Sequence, residues 1–150
     1  MIEKPTDELE AELNKVKPWQ LNEYFKKNSE YLVEGEKSFY YYFKDTLENK
    51  NIFLKDIYYL AGVSESYGGK IISQEKHTKD RDLILRLCIA GHFTVDEINR
   101  ALKLYGMSPL YAKDKRDASL IVAINNRTYN ILRLDEMLES KGFKKLSADE

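Results

Sequence analysis

The chain has 150 residues and a hydrophobic fraction of 43%, which is enough for one domain with a substantial buried core. Its 24 Lys and Arg against 25 Asp and Glu leave a formal net charge of −1, so it lacks the overall positive charge typical of nucleic-acid-binding proteins. Binding of a nucleic acid would therefore require the fold to place its cations together on one face.

The cysteine content and the apolar runs set two further limits. Cys88 is the only cysteine, which excludes an intrachain disulfide and a cysteine-based metal cluster, and we expect no metal and no cofactor. No stretch approaches the roughly 18 apolar residues of a membrane span, and residues 1–5 lack the apolar core of a signal peptide. These features favour a cytoplasmic protein without a membrane partner.

An acidic helical arm is predicted over residues 1–37. Leu9 and Leu13 recur at helical spacing, but this segment has few other large apolar side chains to bury. Pro18 ends the pattern before a second short amphipathic stretch. We therefore expect a partly flexible arm or one that docks on a partner, and we assign the folded domain to residues 38–150.

Two helices joined by a tight turn are predicted near the middle of the chain. The apolar spacing indicates one helix from about Leu54 to Ala61 and a second from Ser64 to Ser73. Gly62 can adopt the positive φ of the turn without a Cβ penalty, and the Ser64 hydroxyl can accept from the first amides of the second helix. A DNA-reading helix-turn-helix requires this order of parts.

The other apolar patterns of the domain are also helical, and no strand pattern is present. Thr94 and Glu97 form a capping box ahead of one helix, and Thr78 is expected to cap another. The prediction is an all-α domain with a helix from Ser38 to the turn at 49–51 and further helices over about 54–61, 64–73, 79–90, 95–105, 113–126 and 129–140.

Four sequence blocks at matching distances carry a resemblance to a known family. They are Ala61-Gly62-Val63-Ser64-x-Ser66-Tyr67, Lys76-x-x-x-x-Arg81-Asp82, Ser108-Pro109-Leu110-Tyr111 and Lys115-Arg116-Asp117-Ala118. Residues 39–123 resemble Xre/Cro-type helix-turn-helix transcriptional regulators, closest to a bacterial subgroup with extra C-terminal helices. The resemblance implies a repressor-like five-helix helix-turn-helix domain, here with an N-terminal helical arm and a C-terminal helical pair.

Two positions depart from the pattern of that family. Gly68 stands where members carry a branched apolar residue, and Gln74 stands where they carry a glycine. An internal glycine costs roughly 1 kcal/mol relative to alanine, so we expect Gly68, which is followed by Gly69, to loosen the docking of the second helix. Gln74 removes an easy turn after that helix. The departures predict weaker DNA binding or a replacement partner.

In this family the exposed face of the second helix reads base edges. Lys70 can donate to guanine acceptors, Glu65 can accept from the cytosine amino group, and Ser64 and Ser66 can bind bases or phosphates. The resemblance also lets the hydroxyl of Tyr67 touch the DNA backbone. The candidate DNA-binding residues are Ser64, Glu65, Ser66, Tyr67, Gly69, Lys70, Ser73, Lys76 and Lys79. The alternative is an ordinary solvated helix face.

Two basic clusters lie outside this face. The first, which follows the second helix, comprises Lys76, His77, Lys79 and Arg81. Its cations can neutralise phosphates, but Asp80 and Asp82 reduce their field, so a solvated loop is the alternative. The second cluster comprises Lys113, Lys115 and Arg116. For it we favour an ion pair of Arg116 with Asp114, Asp117 or a carboxylate elsewhere, over contact with phosphate or an acidic partner.

The chain carries no catalytic motif. It has no nucleophile elbow, no phosphate-binding glycine-rich loop after a strand and no catalytic constellation, so we expect neither an enzyme nor catalytic residues. The prediction is a sequence-specific transcriptional regulator that binds double-stranded DNA as a homodimer on a two-fold site. Either the helices from Lys113 onward or the aromatic-rich segment 19–43 would form the dimer.

A helical protein-interaction module is the alternative function. An antitoxin-like or inhibitor-like protein could keep the same fold without strong DNA binding, and it would meet its partner through residues 1–37 or the C-terminal helices. The near-neutral charge, Gly68 and Gly69, and the acidic arm favour this alternative. Salt dependence separates the two functions, because DNA binding falls steeply as salt rises.

Overall fold

The computed structural model describes residues 6–27 and 37–148, which fall within two units, Met1–Gly35 and Glu36–Glu150. Of the predicted arm, residues 1–5 and 28–36 lie outside the described part. The described part of the first unit is helical as expected. It contains α1 (Thr6–Leu13), a 3-10 turn (Pro18–Gln20) and α2 (Leu21–Lys27).

The described part of the second unit is also built of helices. They are α3 (Ser38–Asn49), α4 (Leu54–Ala61), α5 (Glu65–Ile72), α6 (Arg81–Ala90), α7 (Val95–Leu104), α8 (Lys115–Asn125) and α9 (Ile131–Ser140). Neither described range, 6–27 or 37–148, contains a strand. The all-α prediction is therefore confirmed for these residues.

Helix α6 lies at the centre of the second unit. Every residue from Leu83 to Ala90 is buried, and α4, α7 and α9 pack against this helix. Complete burial explains why its sequence is apolar on all sides rather than along one stripe. The exception is Arg86, which is 6% exposed and donates from Nη1 to the carbonyl of Ala61 at 3.0 Å. This places a cation at the C-terminal end of α4, where the helix dipole favours positive charge.

Side-chain caps set where the later helices begin. Asp80 accepts from the amide of Leu83 at 3.2 Å, so α6 begins at Arg81, and the expectation that Thr78 caps this helix is wrong. The Thr78 hydroxyl instead accepts from the amide of Asp80. In the same way Asp114 and Asn130 cap α8 and α9, which therefore begin two residues later than predicted.

Two ion pairs join α6 to α8. Arg81 donates to both carboxylate oxygens of Asp117, and Arg116 donates to both carboxylate oxygens of Asp82. Arg116 also donates to the carbonyl of Lys144 at 2.8 Å. The favoured interpretation of Arg116 as a structural ion-pair residue is confirmed, with Asp82 as its partner.

Candidate nucleic-acid interface

A tight turn joins α4 to α5. Gly62 ends α4 with φ of +69°, and the amide of Val63 donates to the carbonyl of Tyr58 at 3.1 Å. The hydroxyl of Ser64 accepts from the amide of Tyr67, also at 3.1 Å. The predicted glycine turn and serine cap are both confirmed. Ser64 and Ser73 are the caps of α5, so the expected limits of this helix are also met.

The inner face of α5 packs against the ring of Tyr58. Ile71, Ile72 and Gly68 are buried, and a Cβ built on Gly68 would lie 2.6 Å from Cδ1 of Tyr58 and 3.1 Å from Cγ1 of Val63. No side chain fits in that space unless Tyr58 moves. The expectation that Gly68 loosens the docking of this helix is therefore wrong, because the space left by the glycine is filled by the tyrosine ring.

Gln74 makes the turn after α5 without a glycine. Its φ is +64°, in the left-handed region that costs an L-residue roughly 1–2 kcal/mol. Its side-chain oxygen accepts from the amide of Tyr40 in the first turn of α3, at 3.2 Å. The N-cap of α3 is Lys37, which has no side-chain acceptor. Gln74 thus supplies the missing cap of α3, and this bond offsets part of the backbone strain.

The solvent face of α5 carries a polar stripe, formed by Ser66, Lys70 and Ser73. At 100° per residue these positions lie within a 60° arc, opposite the buried side chains of the helix. Ser66 is exposed, whereas Lys70 and Ser73 are half-buried. The hydroxyl of Ser73 donates to the carbonyl of Lys70 at 3.3 Å. Three of the predicted base-reading residues therefore share the centre of this face.

The remaining predicted residues of α5 lie beside the stripe or serve the helix itself. Tyr67 lies on one side and is 40% exposed. Glu65 and Gly69 lie on the other side, toward Tyr58, whose pKa is raised by burial first and then by the charge of Glu65. The oxygen of Ser64 is already engaged as the cap. Tyr67 and Glu65 thus flank the polar stripe on opposite sides, and Ser64 serves as the cap of the helix.

The segment Lys76–Lys79 follows α5 and contacts Tyr105. The amide of Thr78 donates to the hydroxyl of Tyr105 at 3.0 Å, and the ring of His77 stacks on the Tyr105 ring with centroids 4.7 Å apart and planes 9° apart. Burial raises the pKa of the Tyr105 phenol, although the bond from Thr78 lowers it. Lys76 and Lys79 are exposed, so both predicted phosphate-contact lysines face solvent.

Arg81, in contrast, is occupied within the fold. Besides its pair with Asp117 it donates to the carbonyls of Ser108 and Pro109, both at 3.0 Å. The first basic cluster therefore presents Lys76, His77 and Lys79 to solvent, while Arg81 holds the connection between α7 and α8.

The described part of the second unit has a positive net charge. Residues 37–148 contain 19 Lys and Arg against 14 Asp and Glu, a net charge of +5. Residues 51–150 alone have a net charge of only +2, because this range includes the C-terminal acids and leaves out part of the domain. The described part of this unit is therefore positively charged, although the net charge of the whole chain is −1.

Sequence reasoning missed two residues that position this surface. Tyr58 and Tyr105 both occur in apolar helical patterns, which indicate only that they are core residues. The glycine at position 68 was a signal for Tyr58, because a buried glycine within a helix often accommodates a close neighbour. No local signal pointed to Tyr105, since its partner Thr78 lies 27 residues away.

Comparisons with known proteins leave the family open. No family model, no curated protein and no solved structure matches the chain.

Within residues 6–27 and 37–148, no group of three or more His, Cys, Asp or Glu side chains is placed to hold a metal ion. None of the helices in these ranges combines the length and apolarity needed to cross a membrane.

Proposed function

We propose that the chain is a sequence-specific DNA-binding transcriptional regulator of the Xre/Cro type. In this proposal α4 and α5 are the helix-turn-helix of a five-helix domain, α3–α7, and α5 lies in the major groove. The polar stripe of Ser66, Lys70 and Ser73 carries the proposal, because it lies on the solvent side of a helix fixed by a left-handed glycine turn and a serine cap. Such a helix can enter a groove and bring polar groups to base edges.

Each polar group has a role that its position supports. Lys70, at the centre of the stripe, donates to guanine acceptors, and Ser66 and Ser73 bind bases or phosphates beside it. Lys76 and Lys79 neutralise phosphates and set the register of the helix. The net charge of +5 over residues 37–148 supports this arrangement, because the field of the domain attracts a polyanion.

A homodimer completes the proposed function. One module with so few free cations at its reading helix would bind weakly, whereas two modules on half-sites one helical turn apart multiply the affinity. The C-terminal helices α8 and α9 are the proposed dimer surface. Val122 on α8 is 61% exposed and Leu132 on α9 is 67% exposed, and burial in a dimer would remove both from water.

One observation favours a protein-interaction module as the second candidate. Phe53, Tyr59 and Leu60, at the start and along the outer face of α4, are 67%, 87% and 50% exposed. Neighbouring large apolar side chains exposed in this way are typical of protein-binding surfaces. An antitoxin-like or inhibitor-like protein would use this surface and would leave the polar stripe of α5 without a DNA role.

A binding selection tests the two functions together. The purified chain is titrated by fluorescence anisotropy against a randomised duplex pool at low and moderate salt, and the bound DNA is sequenced. The proposal expects a palindromic site to be enriched and the affinity to fall steeply with salt. Absence of binding at low salt would overturn it in favour of the protein-interaction module.

A further inference from the structure

We infer that Tyr105 is a positioning residue for phosphate recognition, holding the Lys76–Lys79 segment so that its two lysines face the DNA backbone. The inference rests on the proposed function, since it assigns to the protein interior the task of presenting those cations. Tyr105 is 4% exposed, so it acts through the segment that it holds.

The ring and the hydroxyl of Tyr105 have separate partners. The ring packs edge-on against Phe39 in the core, with centroids 4.8 Å apart and planes 79° apart. The hydroxyl accepts from the amide of Thr78, and the outer ring face carries His77 in a parallel stack. A phenylalanine would serve the core equally well. The oxygen is therefore the atom that bonds the backbone of the segment to the core, beside the ring contact with His77.

Other bonds hold the two ends of the same segment. The amide of Lys76 donates to the carbonyl of Lys70 at the end of α5, at 3.1 Å. At the far end the amide of Asp80 donates to the hydroxyl of Thr78, and the Asp80 carboxylate caps α6. Tyr105 supplies the contact in the middle, between these two ends. The backbone of the segment is therefore held along its length while Lys76 and Lys79 remain exposed.

A held backbone improves the binding of an anion by lysines. Each phosphate contact requires a cation at a definite distance from α5, and a mobile segment would lose conformational entropy on binding. A segment already fixed in the free protein loses less, so the same two lysines bind more tightly. Removal of the Tyr105 oxygen should therefore weaken DNA binding without altering any group that touches DNA.

The experiment compares Tyr105→Phe with a matched control, Tyr129→Phe. Tyr129 stacks on His92 with centroids 4.5 Å apart and planes 8° apart, so it repeats the His–Tyr stack elsewhere in the unit. In the free proteins, the amide of Thr78 should exchange about tenfold faster in Tyr105→Phe than in the control. DNA affinity should fall about three- to tenfold in Tyr105→Phe only. Thermal unfolding of both variants serves as the control that they are folded.

A double-mutant cycle separates positioning from a general structural effect. In a background of Lys76→Ala and Lys79→Ala, Tyr105→Phe should weaken binding no further, because the cations that it presents are gone. The slope of the logarithm of the binding constant against the logarithm of the salt concentration (the salt slope) should also become less steep in Tyr105→Phe, by about 0.9 for each phosphate contact that is lost. An equal loss with and without the two lysines would overturn the inference, as would wild-type affinity in Tyr105→Phe. If the wild-type chain binds no DNA, the proposed function itself fails, and the inference fails with it.

Discussion

Arg81 and Asp117 form a bidentate ion pair, with N–O distances of 3.0 and 2.9 Å, that joins the first turns of α6 and α8 across 36 residues. The neighbouring residues repeat the contact with reversed charges, since Arg116 donates to both oxygens of Asp82 at 3.0 Å. Two Arg-Asp dipeptides thus pair crosswise. The Asp117 carboxylate also accepts from the amide of Tyr111. These bonds hold the helical pair α8–α9 on α6.

Replacement of Asp117 should make the free energy of unfolding less dependent on pH in the acid range. Burial alone raises the pKa of Asp117, but the bonds from Arg81 and Tyr111 and the nearby charges lower it below its usual value. A carboxyl group whose pKa is lowered in the folded state stabilises the protein at pH values above its usual pKa of about 3.9. This stabilisation is lost as the pH falls toward the pKa of the folded state. In urea denaturation at pH 7, Asp117→Asn should lower the free energy of unfolding by about 2–3 kcal/mol, because the charge of Arg81 is left without its carboxylate partner.

The difference between wild type and Asp117→Asn should shrink as the pH falls from 5 to about 2.5. Asp96→Asn is the matched control, since Asp96 is exposed in the first turn of α7. It should leave the acid profile nearly unchanged. A difference between wild type and Asp117→Asn that stays constant over the whole range would contradict the ionised pair as the source of the stability.

Alanine at the two adjacent glycines should have opposite effects. A Cβ at Gly68 would lie 2.6 Å from the ring of Tyr58, whereas one at Gly69 would lie at an ordinary 3.6 Å from the Tyr58 hydroxyl. Gly68→Ala should destabilise the chain by about 1–3 kcal/mol through overpacking. Gly69→Ala should stabilise it by about 0.5–1 kcal/mol, because alanine loses less conformational entropy in a helix. Chemical denaturation measures both, and equal shifts in one direction would refute the close approach of Tyr58.

Two substitutions at Gln74 should separate its backbone strain from its hydrogen bond. Gln74→Ala keeps the left-handed backbone and loses the bond to the Tyr40 amide, so the free energy of unfolding should fall by about 1 kcal/mol. Gln74→Gly loses the same bond but relieves about 1 kcal/mol or more of strain, so its stability should stay near that of wild type. Denaturant midpoints of the two variants give the comparison. If Gln74→Gly is the less stable of the two, the left-handed backbone at this position does not carry strain that glycine relieves.

Two lysines near α5 should affect DNA binding in different ways. Lys70→Ala should reduce discrimination between the selected site and scrambled DNA by about 1–3 kcal/mol, because it removes the proposed base contact. Lys79→Ala should weaken binding to both sequences alike and lower the salt slope by about one, because it removes a proposed phosphate contact. Lys113→Ala changes the charge equally on an exposed residue outside the interface, and it should leave discrimination unchanged. Unchanged discrimination in Lys70→Ala would remove that residue from the reading role.

Signals close in sequence predicted the helices well, although the starts of α6, α8 and α9 were each misplaced by two residues. Gly62, Ser64 and the Thr94–Glu97 capping box act within four residues of their partners, so the sequence alone indicated these features. The α6 start was misjudged by two residues because Thr78 and Asp80 are both plausible caps, and only their bonding distinguishes them. Local chemistry therefore predicts that a helix exists with more accuracy than it predicts the residue at which it begins.

The candidate site was only partly predictable. The helical period places Ser66, Lys70 and Ser73 on one face, but the sequence does not say whether that face meets solvent or core. Burial of Gly68, Ile71 and Ile72 decides it. The status of Arg81 was undecidable in the same way, since its partner Asp117 is distant in the chain.

The sequence by itself determined an all-helical domain, the turn at Gly62 and the polar composition of α5, because these depend on the chemistry of residues within one helical turn of each other. Only the tertiary structure decided that Tyr58 fills the space beside Gly68, that Arg81 pairs with Asp117 and that Tyr105 holds Thr78. These contacts depend on how separate helices pack, and the packing is set by the whole buried surface rather than by any local pattern.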